Sequence, residues 1–245
     1  MNPLEEFNAR KVDNIKAQGL DQALKQKTRD WMLHTSRYSY TYNFTWLGVP
    51  IIQFPQDIMA LQEIIWRVKP DLIVETGIAH GGSLIFSASM LELIGGEGQV
   101  LGIDIDIRAH NRAEIEKHPL VRRIKMIEGS SVAPEVSAQV HQAAQGKNRT
   151  MVILDSNHTH EHVKRELELY SPLVKKDSYL VVFDTMIEDL PDEYNAGRPW
   201  SKGDNPKTAV WEFLTTSDRF VIDKELETKL LITPAPDGYL RCVKD

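Results

Sequence analysis

Two aspartates and a histidine are the most reactive combination in this 245-residue chain. Asp155 closes the apolar run Thr150-Met-Val-Ile-Leu154, and Asp184 closes the run Ser178-Tyr-Leu-Val-Val-Phe183. Short apolar runs rich in β-branched residues read as strands buried on both faces of a parallel sheet. If the two strands are neighbours, both carboxylates face one crevice. There they could hold a hard divalent cation such as Mg²⁺, with waters and substrate oxygens completing an octahedron. Such an ion lowers the pKa of a bound hydroxyl. His158 lies at the mouth of the same crevice, and an imidazole is suited to accept that hydroxyl's proton. His158, His160 and His162 alternate, so a transition-metal site of imidazole and carboxylate is a rival reading. Capping or solvent exposure is the plainer reading of His160 and His162. Asn157 suits a cap or a cofactor bond. Glu188 and Asp189 would add metal ligands only if the connection after Asp184 folds back.

A second group lies earlier in the chain, in Leu72-Ile-Val-Glu75-Thr-Gly77-Ile-Ala-His-Gly81-Gly-Ser83. This is a short strand, a glycine turn and the start of a helix. Gly77 and Gly81 permit positive φ and close approach of backbone to a ligand. Ser83 can cap the helix, whose free N–H groups favour negative or polar ligand atoms. A strand ending in an acid, then Gly-x-x-x-Gly-x-Ser, is how S-adenosylmethionine (SAM) methyltransferases open their cofactor site. The dinucleotide pattern Gly-x-Gly-x-x-Gly fails at Ala79. An ordinary βα turn needs small residues too. Asp104 ends the next strand, Gln99–Asp106, where a carboxylate can take both hydroxyls of a ribose; Asp106 is its competitor. Ser130 and Ser131, after a strand at 124–128, would lie beside the adenine or cap a helix.

Composition bounds these readings. Apolar residues make up 42% and charged residues 26% of the chain, as in ordinary globular domains. A net charge of −6 argues against general nucleic-acid binding. No apolar run reaches the roughly 18 residues of a membrane span. The single cysteine, Cys242, makes no internal disulfide, and the expected compartment is the reducing cytoplasm.

The elements that must position these groups alternate. Apolar spacing predicts helices near 18–33, 56–69, 83–94, 109–118, 132–145, from 159 to about 173, and 207–216. Strands are expected at 71–75, 99–106, 124–128, 150–154, 178–184 and 220–223. Terminal strands at 230–233 and 239–243 would pair through the turn 234–238. Tyr40, Tyr42, Phe44 and Trp46 alternate as along an extended segment with one aromatic face. The pattern predicts an α/β fold, a mostly parallel sheet with an antiparallel terminal strand and helices on both faces. Residues 1–55 read as a helical and aromatic extension, free to cover the site or meet another subunit, and 56–245 as the cofactor-binding domain. Glu75, Asp104, Ser130, Asp155 and Asp184 all fall at strand C-termini, where open sheets bind ligands.

Several segments together resemble the cephalosporin hydroxylase family: Asn43-Phe-Thr-Trp-Leu-Gly48, Pro50-Ile-Ile-Gln-Phe-Pro-Gln-Asp57, the glycine turn, Leu154-Asp-Ser-Asn-His-Thr-His160 and Asn205-Pro-Lys-Thr-Ala-Val-Trp-Glu-Phe213. The resemblance implies a Rossmann-like class I methyltransferase fold. It also implies a SAM- and Mg²⁺-dependent O-methyltransferase related to rhamnosyl and macrolide-sugar O-methyltransferases, and an oligomer. By that resemblance Glu75, Gly77, Gly81, Ser83, Asp104, Ser130 and Asp155 contact the cofactor, His158 is the base, and Asp155 and Asp184 hold the metal. The relatives have two adjacent ligands at the end of the fifth strand. Here Phe183 replaces one, leaving Thr185 or Glu188 as substitutes. The expected acceptor is a small hydroxyl compound, a sugar or polyhydroxylated metabolite. A non-haem iron hydroxylase using His158, Asp155 and a second histidine, and a catalytically silent SAM-binding protein, are the alternatives.

Overall fold

The computed structural model describes residues 2–245. Two helices lead, α1 (Pro3–Leu20) and α2 (Gln22–Ser36). A single helix near 18–33 was the expectation. The carboxylate of Asp21 accepts from Leu24 N and so starts a new helix where the old one stops. Asn2 and Glu5 form a capping box on α1, which buries none of its side chains and so shows little apolar signal.

A small hairpin follows, β1 (Phe44–Trp46) and β2 (Val49–Ile51). Its two-residue turn, Leu47-Gly48, has positive φ at both positions, matching the twist of the strands. Only Phe44 and Trp46 of the aromatic series lie on a strand; Tyr40–Asn43 is a 3-10 turn. Tyr40 instead packs edge-on against Trp31 and Phe44. Trp46 meets Phe86 edge-on and donates its indole N–H to Ser89 Oγ at 3.0 Å.

The rest is a doubly wound sheet. Its elements are α3 (Pro55–Val68), β3 (Leu72–Thr76), α4 (Gly82–Ile94), β4 (Gln99–Asp104), α5 (Ala109–Lys117), β5 (Ile124–Glu128), α6 (Pro134–Ala144), β6 (Thr150–Leu154), α7 (His160–Tyr170), β7 (Tyr179–Val182), α8 (Pro206–Thr216), β8 (Phe220–Ile222), α9 (Lys224–Leu230) and β9 (Tyr239–Cys242). Strand order is β5-β4-β3-β6-β7-β9-β8, parallel through β7, with β9 antiparallel to both neighbours. Alternate residues of each strand feed opposite layers. Ile73, Val100, Met151, Ile153 and Val181 pack against α3, α4, α5 and α9. Val74, Leu101, Val152, Leu154 and Val182 pack against α6, α7 and α8.

The C-terminal region departs from expectation. Residues 230–233 form no strand, and the hairpin partner of β9 is β8. Between them Asp223 caps α9 by accepting from Leu226 N at 3.0 Å. Leu226 and Leu230, one turn apart, are the residues α9 buries. Strand β4 stops at Asp104, short of Asp106.

Candidate functional site

The glycine turn and the Asp–His–Asp group face one cleft of about 670 Å³ at the C-terminal edge of the sheet. Gly77 adopts φ +90°, and a Cβ on it would overlap the carbonyl of Asp155. The turn therefore lies directly on the end of β6, and only glycine fits there. Asp155 N in turn donates to Thr76 O at 2.9 Å.

Glu75 and Ser83 behave differently from the expectation. Gly81 is the N-cap of α4 and no side chain caps that helix. The Ser83 hydroxyl donates to Glu75 Oε1 instead. Glu75 is buried; burial pushes its pKa up to about 8, Ser83 opposes the rise and the nearby Asp155 adds to it. Its Oε2 has no hydrogen-bond partner. With the cap position held by glycine, the first N–H groups of α4 are left open to a ligand at the cleft.

Asp104 braces the turn as well as lining the cleft. Its Oδ2 accepts from Ile78 N at 2.8 Å and Ala79 N at 3.2 Å, and its Oδ1 from Asp106 N at 3.2 Å. Carboxylate oxygens retain further acceptor capacity after one or two such bonds. Ser130 and Asn157 line a smaller recess of about 150 Å³ that joins Asp104 and Gly77. Asn157 Oδ1 accepts from Thr159 N at 2.9 Å, shaping the entry to α7. His162 closes this recess, its Nε2 lying 3.0 Å from Ser131 Oγ and 3.3 Å from Ser156 Oγ.

Asp155, His158 and Asp184 offer ligand atoms that all lie within 4.8 Å of one another. Asp184 sits at φ +55°, a left-handed conformation that turns its side chain back toward the strand end. His158 Nδ1 is 3.1 Å from Asp184 Oδ2, and Nε2 is 3.6 Å from Asp155 Oδ1. Neither contact is a formed hydrogen bond, and Nδ1 is buried without a partner. Burial works against the imidazolium, but Asp184 and Asp155 outweigh it and push the His158 pKa up to about 9. Burial raises the Asp184 pKa, with His158 opposing and Asp155 adding. Two crowded carboxylates with an unmatched imidazole are a donor set that fits a divalent cation. Gln53 Nε2 donates to Asp155 Oδ2 at 3.2 Å, and the Trp200 ring lies 4.7 Å from the His158 ring.

Other expected ligands are directed elsewhere. Thr185 is buried and donates to Pro236 O at 2.6 Å, so its hydroxyl is turned away from the group. Glu188 accepts from Gly203 N and Asn205 Nδ2, and Asp189 pairs with Lys207, so both tie down the connection between β7 and α8. His160 is held by Thr208 Oγ1 at 2.8 Å and Glu212 at 2.9 Å. Among the described residues no second histidine joins Asp155, His158 and Asp184, and the pair of imidazoles an iron oxygenase triad requires is not brought together.

The extension, expected to be free to cover the site, does reach the cleft, together with the long connection after β7. Met32, Leu33 and Ser36 of α2, and Tyr194 and Arg198 of the long connection, line the same cleft as the glycine turn. Asp57 is buried under the site, accepting from Thr233 Oγ1 at 2.6 Å and Tyr239 OH at 2.7 Å. Burial pushes its pKa up to about 7, with Thr233 and Tyr239 opposing. A lone acid in the first turn of an amphipathic helix reads as solvated, and only the tertiary structure shows this anchor.

A sequence model of a known family, Rhamnosyl O-methyltransferase/CmcI, matches residues 38–243. The chain belongs to that family. A rhamnosyl O-methyltransferase of Mycobacterium bovis (strain BCG / Pasteur 1173P2) is 30% identical over 200 residues, covering 80% of this chain and 77% of the relative. Its counterpart in Mycobacterium leprae is 31% identical over 150 residues, 60% of this chain and 62% of the relative. Among solved structures, CmcI described as Mg-SAM superposes with TM-score 0.57 at 20% identity, over 82% of this chain and 77% of that one. An O-methyltransferase from Bacillus cereus in complex with SAH gives 0.55 at 13% identity, over 92% of each. These likenesses establish the class I methyltransferase fold and bear out the resemblance read from the motifs. The family model begins at Tyr38, just past α2.

Proposed function

We propose that this member of the rhamnosyl O-methyltransferase/CmcI family is a SAM-dependent, divalent-metal-assisted O-methyltransferase. Its acceptor is a hydroxyl of a sugar or polyhydroxylated metabolite. The observation that carries this reading is the contact of Gly77 with the backbone of Asp155, which sets a cofactor turn against a cation-binding group in one cleft.

When bound, SAM supplies an electrophilic methyl group and the cation a Lewis acid that eases ionisation of the acceptor hydroxyl. Gly77, Gly81 and the open N-terminus of α4 receive the polar end of the cofactor. Asp104 takes the ribose hydroxyls, and Ser130 lines the base recess. Glu75 acts through Ser83, fixing the first turn of α4. Asp155 and Asp184 hold the cation, with His158 poised between them to take the hydroxyl proton; Thr185 has no part in it. Trp200 and Gln53 orient His158 and Asp155, and the cleft as a whole aligns the two reactants, on which in-line transfer depends.

Residues 1–55 serve as a removable wall of the acceptor cleft and 56–245 as the catalytic domain; the place of Met32 and Ser36 in the lining supports this. Leu4, Phe7 and Leu20 on α1 are exposed, which supports a homo-oligomer. The lone, buried Cys242 suits the cytoplasm. Among the described residues no helix is long and apolar enough to cross a membrane.

The test is calorimetric titration of SAM and S-adenosylhomocysteine with and without Mg²⁺, followed by mass detection of methyl transfer to a panel of sugars. Binding with transfer that depends on Asp155 is the expected result. Failure of both cofactors to bind would overturn the proposal, and binding without transfer to any hydroxyl compound would point to the silent alternative.

A further inference from the structure

We infer that the opposite edge of the sheet carries an anion-binding cleft for a small phosphorylated ligand, made by Arg67, Arg149, Lys175, Lys176 and Arg241. These five cations line a cleft of about 490 Å³ with one lining carboxylate, Asp177; Asp71 and Asp245 border it, accepting from the backbone N–H groups of Arg149 and Lys176. The chain as a whole has 35 acidic and 29 basic side chains. The lining therefore runs against the net sign of the protein.

The position follows from the fold. Arg149 precedes β6, and Lys175 and Lys176 precede β7. Arg241 lies on β9 opposite Tyr179, the first residue of β7. Arg67 reaches the same edge from the last turn of α3. Asp155 and Asp184 follow the far ends of the same two strands, so the cleft is separated from the catalytic group by the length of β6, roughly 16 Å for five residues.

Among the described residues none of the five forms an ion pair with a carboxylate, although ten other lysines and arginines do. All five side chains are exposed, so solvent and salt screen their mutual repulsion, and the cleft gathers them on one concave face. Two of them are already fixed in direction. Arg67 donates to Tyr179 OH, which donates onward to Asp223, and its guanidinium lies 5.1 Å over the Tyr179 ring. Arg149 donates to Val68 O at 3.3 Å. Among the described residues the side chains of Lys175, Lys176 and Arg241 have no hydrogen-bond or ion-pair partner, so their charges are available to a ligand. Planar guanidinium groups match phosphate oxygens two at a time, and ammonium groups add charge without geometric demand. Five cations exceed what one phosphate can pair with, and the charge suits a diphosphate better.

The probe is inorganic pyrophosphate, titrated calorimetrically into the full-length protein near physiological salt, with inorganic phosphate in a parallel arm. The expected result is saturable pyrophosphate binding, with phosphate at least about tenfold weaker, and a rise in thermal midpoint as pyrophosphate is added. The Lys176→Gln/Arg241→Gln protein, which alters only unpartnered side chains, should bind pyrophosphate about tenfold or more weakly while keeping its SAM affinity. Equal binding by that variant, or none by the wild type at millimolar pyrophosphate, would overturn the inference. So would a change of oligomer size in the variant without pyrophosphate binding in the parent, which would make the cleft a subunit contact. A nucleoside diphosphate arm reads the source of the phosphates: tighter binding than pyrophosphate assigns a nucleotide, equal binding a ligand recognised by its phosphates alone.

Discussion

Nδ1 of His158 stands 3.1 Å from Oδ2 of Asp184, yet out of line for a hydrogen bond. The imidazole is held by charge, and its proton is what a cation on Asp155 and Asp184 would replace. Because the His158 pKa is pushed up to about 9, the proton is present at neutral pH in the metal-free protein. Metal binding near pH 7.5 should therefore release close to one proton, seen as a binding enthalpy that varies with the ionisation enthalpy of the buffer. Metal affinity should climb as pH rises toward 9. Without metal the sign reverses. The stabilising charge pair is complete below about 6.5, the ordinary histidine value, and is lost as pH rises through about 9, so the metal-free thermal midpoint should fall across that window.

Removing the base separates chemistry from binding. His158→Ala should lower kcat by roughly 10²–10⁴, the usual worth of a positioned general base, with SAM affinity unchanged. Full turnover in that variant would show that another group takes the proton.

Glu75 gives an independent pH signature. Its pKa rises to about 8 on folding, from 4.5, so the native state binds the extra proton between those values. Stability falls as pH increases through that interval. Glu75→Gln cannot ionise and should flatten that part of the midpoint-against-pH curve while sparing the alkaline fall due to His158.

Gly77→Ala should be among the most damaging single changes. The added methyl overlaps Asp155 O at a positive φ, combining backbone strain of about 1–3 kcal/mol with overpacking of similar size. Loss of SAM binding together with weakened metal binding is the expected outcome. Loss of one without the other would show that the two halves of the site are separable.

Deleting residues 1–36 removes Met32 and Ser36 from the cleft wall and leaves the glycine turn and the Asp–His–Asp group in place. The truncated protein should keep its affinity for SAM and lose affinity for the acceptor, read as a raised KM.

The strand ends were legible because strong signals coincide there. Buried runs such as Leu72–Val74 and Met151–Leu154 are short and rich in β-branched residues, as central strands are, and each is followed by a carboxylate or a glycine turn. What stayed hidden depended on partners distant in sequence. Thr185 looked available as a ligand until Pro236 O claimed its hydroxyl. Ser83 looked like a helix cap, but Gly81 holds that position and a buried Glu75 is the better acceptor. His160 was read as a cap or a solvated residue, but Thr208 and Glu212, which hold it, lie on α8 and gave no sign in the local sequence. Residues 230–233 look like a strand by composition, yet Asp223 had already started a helix upstream.

The seating of Gly77 on Asp155 makes the catalytic edge a gauge of fixed span. The turn that receives the donor packs on the main chain of the residue that anchors the acceptor side, with no mobile segment inserted between them. Their separation is thus set when β3 and β6 pair, before any ligand arrives. The rest of the wall is built of parts from elsewhere: α2, the segment around Tyr40, and the connection bearing Tyr194 and Arg198. Such parts can be lengthened or exchanged without altering the gauge. A chain of this design can therefore change the size and shape of what it methylates while the reach of the methyl transfer stays the same.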